Sequence, residues 1–127
     1  MRHCYLFILI LTFLNTNAQT PSASYLKLKA MDTENFLNNA TNKSKIIAFQ
    51  EVLETQNNDT LLGYYFRIQA KFFSNQLDNE AALLSLEKSI SYYKKGSHSL
   101  GVVLSMLNKG GVFYKKGATK EATQEFI

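Results

Sequence analysis

Large, small and aromatic residues recur along this chain at two scales. Over a few residues, Phe66, Ala70 and Phe73 are spaced by four and then three, which places them on one face of a helix. Forty residues later Met106, Gly110 and Phe113 repeat the order. The same offset pairs Leu77 with Gly117, Ala82 with Ala122 and Leu86 with Phe126. Size-matched pairs in one frame argue for an internal repeat rather than two unrelated amphipathic helices. The small residue at 70 or 110 lets a second helix approach closely. Ala82 is the reciprocal small residue on that second helix, and the aromatic fills the space between them. The predicted unit is a helix–turn–helix, and the predicted class is all-α.

Capping chemistry sets the element limits. Asn58 or Asp59 can cap a helix over 60–75, because a short side-chain oxygen accepts from the free N–H groups of a first turn. Asp78 can cap 79–95, with Glu80 in its first turn and Lys94 and Lys95 in its last suiting the helix dipole. Gly96 is the expected left-handed stop. Ser97 is expected to cap 98–115, Gly117 to end it, and Thr119 to cap a last helix from Lys120. Upstream, Ile46, Ile47, Phe49, Val52 and Leu53 mark a short amphipathic helix over 44–54, and 32–39 holds room for another. The organisation expected is a leader over 1–18, a polar and poorly ordered lead over 19–31, a degenerate first hairpin over 32–57, a repeat over 58–97 and an incomplete one over 98–127.

The sequence Gly110-Gly-Val-Phe-Tyr-Lys-Lys-Gly117 and its counterpart from Phe66 resemble the tetratricopeptide repeat family. That family orders a large apolar residue, Gly or Ala, an aromatic, a turn glycine, Ala and a large residue. Met106, Gly110, Phe113, Gly117, Ala122 and Phe126 follow it, as do Phe66, Ala70, Phe73, Ala82, Leu86 and Ser89. Lys109 and Gln69 depart from the pattern where Leu is usual, Leu77 replaces the turn glycine, and the period is 40 rather than 34. The resemblance covers about 60–127 well and 25–59 poorly. HEAT-like repeats share the 40-residue period, but the small-residue positions favour the tetratricopeptide pattern. It implies helix hairpins stacked as a short right-handed α-solenoid. It also implies a concave groove lined by Tyr64, Arg67, Lys71, Ser74, Leu104, Tyr114 and Lys115, which binds an extended peptide or partner protein. Its basic residues would suit an acidic segment or a C-terminal carboxylate.

The first residues change the picture of where the chain works. Met1-Arg2-His3 is a short positive start, Tyr5 to Leu14 is apolar but for one threonine, and Thr16 and Ala18 are small. This is the order of a secretory signal peptide with cleavage after Ala18. The apolar run of ten residues is too short for a membrane helix, which needs about 20. Removing 18 of the 127 residues leaves 109, with no cysteine and a charge of +3 in place of +4. An exported protein of the periplasm or cell envelope is expected, with no further membrane span. A small charge spread along the chain gives no stripe for nucleic acid.

The inventory argues against an enzyme. A single cysteine, Cys4, excludes an intramolecular disulfide and a Cys-based zinc site. His98 has no histidine partner one turn away and reads as a surface residue, so no metal or cofactor is expected. Gly110-Gly111 lacks the strand and lysine of a phosphate loop. Gly110 is explained by packing, but Gly111 by nothing in the repeat. Asn39, Asn42 and Asn58 begin glycosylation-type triplets that arise easily in an Asn-rich chain. A small secreted hydrolase would need a nucleophile–base pair that this chain does not offer. The expected function is a non-enzymatic protein–protein interaction scaffold. The alternative is the N-terminal sensor region of a membrane-bound signalling protein, a histidine kinase or helix-turn-helix regulator. Two and a fraction hairpins leave the C-terminal end uncapped, which points to continuation of the chain or to pairing with a second copy there.

Overall fold

The computed structural model describes residues 21–117 and Gln124. The described residues are all-helical, with no strand among them. In chain order they form α1 (Ala23–Met31), α2 (Glu34–Asn38), a 3-10 turn (Ala40–Asn42), α3 (Lys43–Glu54), α4 (Asp59–Asn75), α5 (Asn79–Lys95) and α6 (Ser99–Lys115). The leader, and the helix expected from Lys120 apart from Gln124, lie outside the described residues, Ala122 and Phe126 among them.

From α4 onward a single device repeats every 20 residues. Asn57, Leu77, Ser97 and Gly117 have φ of 49°, 64°, 54° and 75°, in the left-handed region. After the first three come Asn58, Asp78 and His98, whose side chains accept from the backbone N–H of Leu61, Ala81 and Gly101. Asp78 N also donates to Phe73 O, and His98 N to Tyr93 O, each at 2.9 Å. One residue therefore closes the outgoing helix and caps the incoming one, so α4, α5 and α6 are antiparallel neighbours of equal length. Two expectations are corrected here. Gly96 has φ of −79°, and the left-handed residue is Ser97. Ser97 is not the cap of α6; His98 is, through Nδ1. Glycine is needed at 96 for a different reason, because a Cβ there would lie 2.6 Å from Thr60 Oγ1.

The centre of the fold is α4, packed against α1, α2 and α3 on one side and α5 and α6 on the other. One core joins Leu28 and Met31 of α1, Leu37 of α2, Ile46, Phe49 and Leu53 of α3, and Tyr65, Phe66, Ile68 and Phe72 of α4. A smaller one joins Ala70, Ala82, Leu86 and Val112 across α4, α5 and α6, with Phe73 packed against both. Phe66 stacks on Tyr92 of α5 with ring centroids 5.4 Å apart. Gln69, at a position where the repeat pattern takes Leu, is buried in a polar chain instead. Ser85 Oγ donates to Gln69 Oε1, Gln69 Nε2 donates to Tyr65 Oη, and Tyr65 Oη donates to Ile46 O. A buried polar side chain satisfied in this way costs little and fixes how α3, α4 and α5 sit together.

Three helices meet at Tyr93. Its ring lies between two glycines, where a Cβ at Gly63 or Gly101 would fall 2.7 Å or less from ring carbons. Beside it Ser89 Oγ reaches Gly63 O at 2.7 Å, Ser105 Oγ reaches Gly101 O at 2.9 Å, and the two hydroxyls are 2.8 Å apart. Two hydroxyl protons serve three contacts, so this buried pair ties α4, α5 and α6 by backbone carbonyls rather than by apolar mass alone.

The segment expected as a poorly ordered lead contains α1. Ser22 caps it through Tyr25 N, and Leu28 and Met31 are buried against α4.

Candidate functional site

Residues 64, 67, 71 and 74 are spaced by three, four and three and share one face of α4. Leu104, Asn108, Gly111 and Lys115 do the same on α6 by four, three and four. These faces border a cleft with two recesses. The first, of about 250 Å³, is walled by Tyr25, Tyr64, Arg67, Tyr93, His98 and Leu104, with Thr60, Leu61 and Leu100 at its margin. The second, of about 240 Å³, is lined by Ala70, Lys71, Ser74, Asn75 and Leu86 on one side and Asn108, Gly111, Val112 and Lys115 on the other. Gly111 now has a context. A Cβ there would meet nothing within 4 Å, so no packing demands a glycine, and its bare backbone faces the second recess.

The charges are not arranged as the sequence suggests. Lys71 Nζ lies 2.7 Å from Asp32 Oδ1, an ion pair that is mostly covered by protein. Asp32 also accepts from Tyr64 Oη at 3.1 Å. The lysine expected as a groove cation is therefore neutralised by a carboxylate at the end of α1, 39 residues away in sequence. Lys115 Nζ donates to the buried Ser74 Oγ at 3.1 Å, a neutral partner that leaves its charge available. Arg67 is different again. Its guanidinium sits 5.3 Å from the centre of the Tyr64 ring, and its buried Nε has no hydrogen-bond partner among the described residues. An N–H of a cation held out of water without an acceptor is costly, and a ligand oxygen would relieve it.

Burial raises the tyrosine phenols around this cleft above their usual range near 10. For Tyr64, burial acts first and the Asp32 carboxylate adds to it. For Tyr93, burial also dominates, and the Arg67 guanidinium pulls partly the other way. Tyr65, in the core behind, is raised by burial and then by Glu54. The phenols therefore remain neutral hydrogen-bonding walls at ordinary pH.

Of the groove residues expected from the repeat resemblance, Tyr64, Arg67 and Leu104 line the first recess and Lys71, Ser74 and Lys115 the second. Tyr114 lines neither and is 71% exposed. Of the packing residues, Phe66, Ala70, Ala82, Leu86 and Gly110 are buried, Phe73, Met106 and Phe113 half-buried, and Gly117 is exposed in its turn. Sequence reasoning missed Asp32, Asn108, Tyr93 and the glycines at 63 and 101. Only those two glycines, in otherwise helical stretches, could have signalled a close approach. His98 is exposed, as read, but its Nδ1 is engaged as a cap and its ring stacks on Tyr93. Among the described residues no group of three His, Cys, Asp or Glu side chains could hold a metal. No described helix is long and apolar enough to cross a membrane. Comparison with family models, with curated proteins and with solved structures finds no match to this chain.

Proposed function

We propose that this chain is a non-enzymatic binding module, a short tetratricopeptide-like right-handed solenoid, whose α4–α6 cleft takes an extended acidic segment of a partner protein or peptide. The observation that carries this reading is Arg67, a half-buried cationic side chain whose Nε has no hydrogen-bond partner among the described residues, in a tyrosine-walled recess on the face that the repeat pattern assigns to binding. Lys115 and Asn108 in the second recess extend the same polarity along the cleft, and Gly111 leaves room for a backbone to approach. The 20-residue recurrence of caps and left-handed turns supports the stacked-hairpin reading, since each hairpin then enters the next at the same geometry. The charged, apolar and small-residue order of residues 1–18 supports export to the cell envelope.

The test is a titration of fluorescent nine-residue acidic peptides with free C-termini against the chain and its variants. Charge-assisted hydrogen bonds contribute about 1.5–3 kcal/mol, so Arg67→Glu should weaken binding at least about tenfold. Lys115→Glu should act in the same direction and more weakly. Lys71→Glu is a poor probe, because it would face Asp32 with a second carboxylate. Peptide affinity unchanged in Arg67→Glu, with the helical signal intact, refutes the proposal.

A second reading, the sensor region of a membrane-bound signalling protein, is favoured by one surface. Leu100, Val103 and Leu107 are exposed in a row along α6, starting at the rim of the cleft, where a further helical unit would cover them. It requires a reading frame that encodes a membrane helix and an output module after the repeats; a stop codon after Ile127 removes it.

A further inference from the structure

A recess larger than either of those in the α4–α6 cleft lies elsewhere. Helices α1 and α3 both pack on α4. Gln56 Nε2, just past the end of α3, donates to Ser24 Oγ near the start of α1, so the two helices run antiparallel. Between them is a trough of about 530 Å³, floored by Met31, Phe36 and Phe49 and walled by Ala30, Ala48 and Val52. Ala30 and Ala48 face the gap from opposite helices, and it is their small size that keeps it open. The charged residues on the lining are Lys27 from α1 and Lys45 from α3, and no acidic residue lines it. Lys27 is exposed, and its ammonium lies 4.5 Å from the centre of the Phe49 ring, at the edge of the apolar floor.

We propose that this trough binds a free single-chain anionic amphiphile, a fatty-acid-like carboxylate, with its tail on Met31, Phe36 and Phe49 and its head on Lys27 or Lys45. The volume falls within the range of about 300–1,000 Å³ typical of small-molecule sites, and an apolar lining with a few polar groups at the edge is their usual make-up. From Lys45 to Val52 the α3 wall runs about 10 Å, and the α1 wall from Lys27 to Met31 about 6 Å, at 1.5 Å per residue. That suits a short chain better than a docked helix of several turns. A second copy is disfavoured, because two such troughs meeting about a two-fold axis would set lysines against lysines. The site is separate from the α4–α6 cleft and does not rest on the function proposed for it.

The experiment is isothermal titration of the full chain with decanoate below its micelle concentration. Decanol and decyltrimethylammonium serve as neutral and cationic counterparts of the same tail. Saturable binding of decanoate is expected, at least tenfold tighter than either counterpart. It should fall at least tenfold in Ala48→Leu, which fills the trough, and in Lys27→Glu/Lys45→Glu, with the helical circular dichroism of each variant checked against the parent. If Ala48→Leu does not fold, Ala30→Val serves in its place. No saturation, equal binding of the cationic tail, or affinity indifferent to both variants overturns the proposal. So does adsorption to anionic phospholipid vesicles that Ala48→Leu leaves unchanged. Concentration-dependent dimers that this variant abolishes, without decanoate binding, would assign the trough to a second copy instead.

Discussion

Two glycines of the same helix should respond to the same substitution with opposite sign. Gly101 and Gly111 both lie in α6, and replacing either by alanine gains about 1 kcal/mol of helix propensity. At Gly111 the new methyl meets nothing within 4 Å, so the gain stands alone. At Gly101 it would sit 2.5 Å from Tyr93 Cε1 and 2.6 Å from Cγ, where carbon atoms prefer about 3.5–4.0 Å. The ring would have to withdraw by about 1 Å. Withdrawal is blocked, because Gly63 of α4 presses on the same ring and its own Cβ position is 2.7 Å from Tyr93 Cγ. Overpacking with no direction of escape belongs at the upper end of the range of about 1–3 kcal/mol. The net expectation is about 2 kcal/mol of destabilisation for Gly101→Ala and about 1 kcal/mol of stabilisation for Gly111→Ala. For a domain of this size each kcal/mol moves the midpoint by about 4 °C. Thermal unfolding followed at 222 nm should therefore place Gly101→Ala below the parent and Gly111→Ala above it, with urea titrations giving the same order. Tyr93→Phe, which keeps the ring, should not rescue Gly101→Ala, whereas Tyr93→Leu should recover part of the loss. A Gly101→Ala protein that melts at or above the parent temperature refutes the three-helix contact at Tyr93.

Leu77 is 81% exposed and held at φ of 64°, a conformation that costs a side-chain-bearing residue about 1–2 kcal/mol. Leu77→Gly should raise the thermal midpoint by several degrees, and a decrease would show that the turn is built differently. Stability should fall with alkali. Tyr64, Tyr65 and Tyr93 have phenols raised in the fold, so their contribution is complete below the unfolded value near 10. It is lost as the pH climbs above that value, because the unfolded chain releases protons that the folded one retains. Urea midpoints between pH 9 and 12 should decline, less steeply in Tyr65→Phe; a flat profile would contradict the burial of these rings. Asp32→Asn should strengthen binding of acidic peptides in the α4–α6 cleft severalfold by freeing Lys71, at the expense of a slightly lower midpoint. Weaker peptide binding would mean that Asp32 organises the cleft rather than masks its charge.

The sequence by itself determined the elements that rest on contacts a few residues apart. The span 79–95 follows from Asp78 and the helix–turn–helix rhythm, and the structure has the helix at Asn79–Lys95 with that cap. The small residues Ala70 and Ala82 were legible because a 40-residue offset repeats their size, and both are buried in one cluster with Leu86. Capping is a bond between a side chain and a backbone group three residues on, so the information is local. Even so, a glycine beside a helix end misled at Gly96, since the left-handed position went to Ser97 and the glycine answered a neighbouring helix. Helix α1 escaped notice because its buried face is only Ser24, Leu28 and Met31, while Leu26 is exposed and Tyr25 stands at the cleft beside Tyr64. Tertiary packing on α4 stabilises it, not its own periodicity.

What only the tertiary structure decided is the electrostatics and the shape of the candidate sites. Charge in a cleft depends on which residues the fold brings within a few ångströms, and the partner of Lys71 comes from another helix, 39 residues away. The space at Gly111 and the lack of it at Gly101 are likewise properties of what stands opposite, which residue type alone does not encode. The trough between α1 and α3 exists because two helices that share a third as their support leave a gap bordered by two alanines. Local hydrogen bonding writes the helices into the sequence, and long-range packing decides which of their faces are filled, neutralised or left open.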